Sequence, residues 1–324
     1  MKYFITGATG FVGGVLTRKL CEVGHEVRAL VRDPQKAGDL KAIGVGLFRG
    51  DVTERESMRE AMSGVDGIFH VAGWYKVGVR DKSGGEKINI EGTHNVLELM
   101  QELKIPKGVY TSTLAVNSDT NGRIVDESYR FSGTHLSEYD RTKAVAHDIA
   151  EDFIEKGLPL VIVMPGVIYG PGDTSTLRDN LLGFLNGKLP ALPDRTGYCP
   201  AHVEDIADAH ILAMEKGRAG ENYIIGGEAV TVVDLFRIAG RVSGRRPPAT
   251  IPHQIMKVMS VLVRPFDAIL PEIYTSEGLR VVGGATYWGD NSKARRELGY
   301  DPRPIEEGWA ETVKHEIGQS GISK

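Results

Sequence analysis

The chain has 324 residues, 41% of them apolar and 25% charged, which permits a sizeable buried core and excludes a fibrous or disordered protein. A formal net charge of −4 offers no basic field to a nucleic-acid backbone, so small molecules are the expected partners. Cys21 and Cys199 are the only cysteines and lie far apart without a CxxC or Cys/His cluster, so neither a disulfide framework nor a metal site is expected.

In chain order, the segment MKYFITG opens directly on a strand at 3–6, without the features of a secretory leader or lipidation signal, and a cytoplasmic protein is expected. A helix over 11–23, a strand at 26–31 and a helix over 34–42 follow. The alternation continues with a strand at 46–50, a helix over 54–62, a strand at 67–71, a helix over 88–103 and a strand at 108–112. A helix over 138–156 then leads to the apolar strand 160–164. Crossovers of helical length imply parallel strands, and hence an α/β, doubly wound parallel sheet. The turn-rich Tyr169-Gly170-Pro171-Gly172-Asp173 ends this regular part, and the pattern beyond it is looser. A helix over 204–216 and a strand at 222–225 return to the sheet, which makes the second region discontinuous. The apolar stretch 251–270 is interrupted by His253, Lys257, Arg264 and Asp267, so it reads as a packed helix and not as a membrane span, with a role at a membrane surface as the alternative.

The first strand runs into Thr6-Gly7-Ala8-Thr9-Gly10-Phe11-Val12-Gly13 and then a helix. Glycines let a backbone turn tightly against a pyrophosphate, and the N–H groups at the start of the following helix bind its charge. The Gly-x-x-Gly-x-x-Gly spacing at a first strand-to-helix turn marks a dinucleotide site through Gly7, Thr9, Gly10, Phe11 and Val12. Arg32 stands at the end of the second strand, where this fold reads the adenosine ribose. A guanidinium there pairs with a 2′-phosphate, so NADP(H) is favoured, while the adjacent Asp33 keeps NAD(H) as the alternative. Asp51 and Val52 by the adenine, and Val71, Ala72 and Gly73 by the phosphates and ribose, would flank the cofactor at the next strand ends.

Tyr139 and Lys143 are four residues apart and therefore share a helix face. A cation beside a phenol stabilises the phenolate and draws its pKa toward working pH, which lets it exchange a proton with a substrate hydroxyl or carbonyl. Such pairs are common by chance on helix surfaces, and the glycine turn upstream gives this one its meaning. Ser112 or Thr113, at the end of the strand 108–112, can supply a hydroxyl to polarise a carbonyl.

Together with Asp51-Val52, Asn89-Ile-Glu-Gly92-Thr93-x-Asn95, Thr111-Ser112-Thr113 and Pro165-Gly166-x-x-Tyr169-Gly170-Pro171-Gly172, these motifs resemble the extended short-chain dehydrogenase/reductases, that is, the NAD-dependent epimerase/dehydratase family. The resemblance implies a Rossmann domain, here 1–170 plus about 200–226, and a smaller substrate-binding domain from 171–199 and 227–324. It also implies a homodimer joined through the helices over 88–103 and 138–156. Tyr139 would be the acid/base, Lys143 would lower its pKa and hold the nicotinamide ribose, and Thr113 would fill the family's active Ser/Thr position. Asn89 would match the family's helix asparagine, Pro165, Gly166 and Val167 would line the nicotinamide, and Thr111 would also bind the cofactor. Met164 replaces the arginine that many nucleotide-sugar members carry before the proline, and no Arg-Asp-Phe run precedes His202-Val203-Glu204-Asp205. The runs 27–34 and 201–210 are most similar to the reductases related to dihydroflavonol reductase, which implies reduction of a ketone or aldehyde with NADPH.

The competing enzyme is a sugar or nucleotide-sugar epimerase/dehydratase that regenerates its cofactor within each turnover. A redox-sensing regulator needs no proton donor, so the intact Tyr139/Lys143 pair argues for an enzyme. Specificity is expected from 74–83, 126–137 and 177–287. There Trp74, Tyr75, Phe131, Tyr198, Met256, Phe266 and Tyr274 suit an apolar or aromatic substrate unless they serve the core. His202 and His210 read as structural.

Overall fold

Strands that are apolar at every position must be covered on both faces, and Leu160–Met164 is buried along its whole length. The structure, a computed structural model, describes residues 1–320. Six strands, β1 (Lys2–Thr6), β2 (Glu26–Val31), β3 (Gly46–Arg49), β4 (Gly67–His70), β5 (Gly108–Thr111) and β6 (Leu160–Met164), form one sheet with Asn222–Ile224. Its order is Asn222–Ile224, β6, β5, β4, β1, β2, β3, and every pairing in it is parallel. The order reverses between β1 and β4, where Thr6 lies beside His70 and a crevice opens at the carboxyl ends of the strands.

Side chains alternate across the sheet. Tyr3, Ile5, Val161 and Val163 pack with Leu16 and Leu20 of helix α1 (Phe11–Glu22) and with the helix Val203–Lys216. Phe4, Ile68, Ile162 and Met164 pack on the other side with helices Gly92–Glu102 and Glu138–Glu155. A third core, around Trp309, joins helices Thr176–Leu185, Val232–Ser243 and Ile305–Ser320, so segments on both sides of Asn222–Ile224 meet in it. Ala294, Leu298 and Tyr300 fold back onto the core beneath α1.

The helices expected over 34–42 and 54–62 each begin as a 3₁₀ turn, Pro34–Ala37 and Arg55–Met58, and only then become α-helical. The helix expected from 88 starts earlier, as a π-helical turn at Gly85–Glu91 that leads into Gly92–Glu102. The junction is tightly packed: a Cβ on Gly92 would meet the Val52 side chain at 2.7 Å.

The packed helix expected over 251–270 is corrected. His253–Leu262 is helical, but Ser260 is its only buried residue, and Ile255, Val258, Val261, Leu262, Phe266 and Ile269 are exposed. The segment is apolar around most of its circumference but rests on the short helix Ser276–Val282 along one side only. No helix among the described residues is long and apolar enough to cross a membrane.

Candidate active site

The glycine turn leaves no room for side chains. Gly7 adopts φ +77°, and a Cβ on Gly13 would stand 2.1 Å from the Gly7 carbonyl oxygen. Gly10 begins α1 without a side-chain cap, so the N–H groups of the first turn, at Phe11 and Val12, are left for an anion. The Thr6 hydroxyl accepts from the Val71 and Ala72 amides, each at 3.1 Å, and ties the end of β4 to the turn. With both acceptor positions filled, its proton goes to His70 Nδ1 at 2.8 Å. The His70 ring therefore carries its proton on Nε2 and donates to Thr93 Oγ1 at 3.1 Å. Thr93 in turn meets the Tyr110 phenol. Burial, aided by the Lys143 ammonium, pushes His70 down to about 3.

A cleft of about 980 Å³ runs along the carboxyl ends of the strands. Gly7, Thr9, Gly10, Phe11, Val12, Arg32, Asp51, Val52, Val71, Ala72, Gly73, Thr111, Pro165, Gly166 and Val167 all border it, as do Ser112, Thr113, Tyr139 and Lys143. Its uncapped helix start, side-chain-free turn and length fit an extended dinucleotide. At the outer end Arg32 is exposed, and Arg18 and Lys36 add two more cations to the rim. Asp33 does not border the cleft; its carboxylate accepts from the Gln35 amide at 3.1 Å and caps the turn at Pro34.

At the inner end Ser137 caps the helix Glu138–Glu155, which presents Tyr139 and Lys143. Lys143 is buried, and its Nζ donates to the Thr111 carbonyl at 2.8 Å and to the Tyr110 hydroxyl at 3.1 Å. Burial lowers its pKa to about 7. Tyr139 goes the opposite way from the sequence expectation. Burial pushes its phenol up to about 12, with the Thr113 hydroxyl working against the shift and Asp140 adding to it. Tyr139 is thus a protonated phenol at neutral pH.

The two candidate hydroxyls differ. Ser112 Oγ is drawn under the cleft to His147 Nδ1 at 2.8 Å, whereas Thr113 stands beside Tyr139 and accepts from the Ala115 amide at 3.2 Å. Asn89 does not border the cleft. Its side chain grips Trp74, accepting from the amide at 2.7 Å and donating to the carbonyl at 2.9 Å, and it also donates to Thr142 Oγ1 at 3.0 Å. Asn89 therefore fixes the loop at 74 against the helix that carries Tyr139.

Trp74, Tyr75 and Tyr198 line the inner end, but Phe131, Met256, Phe266 and Tyr274 do not. Phe131 packs against His135, and Phe266 and Tyr274 face outward. Asp140, which sequence reasoning missed, also borders the cleft, as do Val281 and Tyr287, which fall within the expected 177–287 but were not singled out there. Tyr287 stacks on Tyr198 with ring centres 5.9 Å apart and donates to Asp140 Oδ2 at 3.1 Å. Burial raises the Asp140 carboxyl to about 7 against the pull of the Ser137 and Tyr287 hydroxyls. The position of Asp140 beside Tyr139 was a usable signal, but nothing local pointed to Tyr287.

His202 caps the helix Val203–Lys216. The Ile206 carbonyl, 2.7 Å from His210 Nδ1, can only accept, so Nδ1 carries the proton and His210 Nε2 accepts from the Thr111 hydroxyl at 2.9 Å. Both histidines are structural. Cys21 and Cys199 are free thiols.

A glycine turn at the switch point of a parallel sheet, with a tyrosine–lysine helix at the far end of the same cleft, defines a nicotinamide-dependent enzyme of the extended short-chain dehydrogenase/reductase type. The chain belongs to the NAD dependent epimerase/dehydratase family, whose family model matches residues 3–226. It is 31% identical to a protein of Synechocystis sp. provisionally named dihydroflavonol 4-reductase, over 96% of this chain and 93% of that one. It is 30% identical to the 4-hydroxy-2-methyl-3-oxo-4-farnesyl-3,4-dihydroquinoline-1-oxide ketoreductase of Stigmatella aurantiaca, over 94% of this chain and 92% of that one. The crystal structure of gox2253 superposes with a TM-score of 0.85 at 33% identity, covering 99% of each chain.

Proposed function

We propose that the protein reduces a lipophilic ketone or aldehyde to an alcohol with NADPH, with Tyr139 as the proton donor. The observation that carries this reading is the placement of Tyr139: a phenol beside the Thr113 hydroxyl at the inner end of a dinucleotide-sized cleft. The bound dinucleotide supplies the hydride. Thr113 and Tyr139 direct their hydroxyls at the carbonyl oxygen, and the phenol releases its proton only as negative charge develops there. Lys143, one turn along the same helix from Tyr139, would stabilise the phenolate left behind and hold the nicotinamide ribose. Pro165, Gly166 and Val167 keep water from the reacting face. Asn89 acts at one remove, by positioning Trp74.

Arg32, Arg18 and Lys36 at the ribose end, and the engagement of Asp33 as a cap, support a 2′-phosphate there. The aromatic inner wall, and the names of a dihydroflavonol reductase and a farnesyl-bearing ketoreductase among the relatives, support an apolar carbonyl substrate. In this reading 1–170 with about 200–226 binds the cofactor, 171–199 and 227–324 shape the substrate site, and a cytoplasmic homodimer forms through helices Gly92–Glu102 and Glu138–Glu155. A panel of apolar ketones and aldehydes, followed by loss of NADPH absorbance, tests the function. Net consumption of NADPH is the expected result. Conversion of a nucleotide-sugar without net cofactor change would replace the reductase by an epimerase.

A further inference from the structure

The helix His253–Leu262 and the chain after it turn an apolar surface outward. Val261 is 71% and Ile269 76% exposed, and Ile255, Val258, Leu262 and Phe266 are exposed beside them. Met256 and Ser260 alone form the inward side of the middle of the helix, toward Ser276–Val282. A contiguous set of large apolar side chains in water marks a docking surface.

Charge identifies the occupant. The loop 74–83 packs against 272–278, where the Gly78 amide donates to Glu277 Oε1 at 3.2 Å and Lys82 pairs with the same carboxylate. The segments 74–83 and 251–282 carry six basic and four acidic side chains, in a chain whose net charge is −4. Two of those acids are engaged within the fold: Asp267 accepts from Ser276, and Glu277 is buried and paired with Lys82. Lys76, Arg80, Lys257 and Arg264 are exposed and make no ion pair among the described residues. Apolar side chains flanked by unpaired cations are the chemistry of an interfacial helix on an anionic bilayer. The surface also adjoins the cleft, since Tyr75, Val77 and Val281 border the cleft from the loop and the helix that support it.

We propose that this surface docks on an anionic lipid bilayer and seats the mouth of the cleft at the membrane interface, where a lipophilic carbonyl substrate enters. The substrate half of this statement rests on the proposed reductase activity; the docking half does not. The test is flotation of the full chain with phosphatidylcholine vesicles with and without phosphatidylglycerol. The protein is expected to float with the anionic vesicles and to be released by salt. Val258→Glu with Val261→Glu should abolish flotation. Lys257→Gln and Arg264→Gln, which leave the apolar face intact, should each weaken it about fivefold. The same variants should lose turnover of a long-chain ketone presented in vesicles and keep turnover of a short, water-soluble ketone. A full chain that stays with the soluble fraction overturns the proposal. So does a dimer that Val258→Glu dissociates in sedimentation equilibrium, because the face would then belong to a second copy. Flotation without any NADPH consumption would remove the reductase reading and leave the docking surface standing.

Discussion

At the glycine turn a single methyl group is too much, whereas the wall around Trp74, Tyr198, Val281 and Tyr287 is assembled from side chains of four separate segments. One end of the cleft is shaped by backbone and the other by what projects from it. Backbone shape tolerates few sequences, so the phosphate end suits one ligand, while side-chain walls can be exchanged and set the choice of substrate.

The sharpest way to break this contrast is at the reacting end. Tyr139→Phe should lower turnover by about 10²–10⁴-fold while NADPH affinity, measured by fluorescence titration, stays near wild type; full activity in the variant would take Tyr139 out of the chemistry. Gly13→Ala attacks the other end. A Cβ 2.1 Å from the Gly7 oxygen forces the turn open, at a cost of about 1–3 kcal/mol or more in stability, and NADPH binding should be lost with it. Retained binding would show that the turn is not the phosphate cradle. Arg32→Ala sharpens the cofactor assignment. It should weaken NADPH by roughly 10-fold or more, the value of a charge-assisted hydrogen bond, and leave NADH little changed; equal losses for both would point to NAD.

A milder effect, on stability alone, is expected at Asp140, the buried acid beside Tyr139. An aspartate in water ionises at 3.8 and Asp140 in the fold at about 7, so the unfolded chain gives up its proton first as pH rises. The stability contributed by the neutral carboxyl is complete below about pH 4 and is lost on the way to pH 7. Asp140→Asn should therefore gain on wild type by several degrees in thermal midpoint between pH 4 and pH 8. A constant difference across that range would mean that Asp140 is already ionised.

The central sheet was legible because strands covered on both faces must be apolar throughout, and because Gly7, Gly10 and Gly13 have one use at a first strand end. Tyr139 and Lys143 were legible as a pair by their spacing, but their charge states were not. Spacing places two groups on one face, and only the packed surroundings reveal that Lys143 is held by Thr111 and Tyr110 and that Tyr139 keeps its proton. Tyr287 and Asp140 meet across 147 positions, a separation that no local pattern encodes. Apolar content over 251–270 likewise cannot say whether its side chains face a core or the outside, and here most face outside.

The line of hydroxyls beginning at Thr6 has a directional sense. Thr6 has one proton to give and gives it to His70, which fixes what Thr93 receives and so reaches the phenol on which Lys143 leans. Because His70 stays uncharged down to about pH 3, this ordering does not reverse anywhere near neutrality. The amides of Val71 and Ala72 at one end and the Lys143 side chain at the other are thus held on a single chain of hydrogen bonds whose direction is set at Thr6.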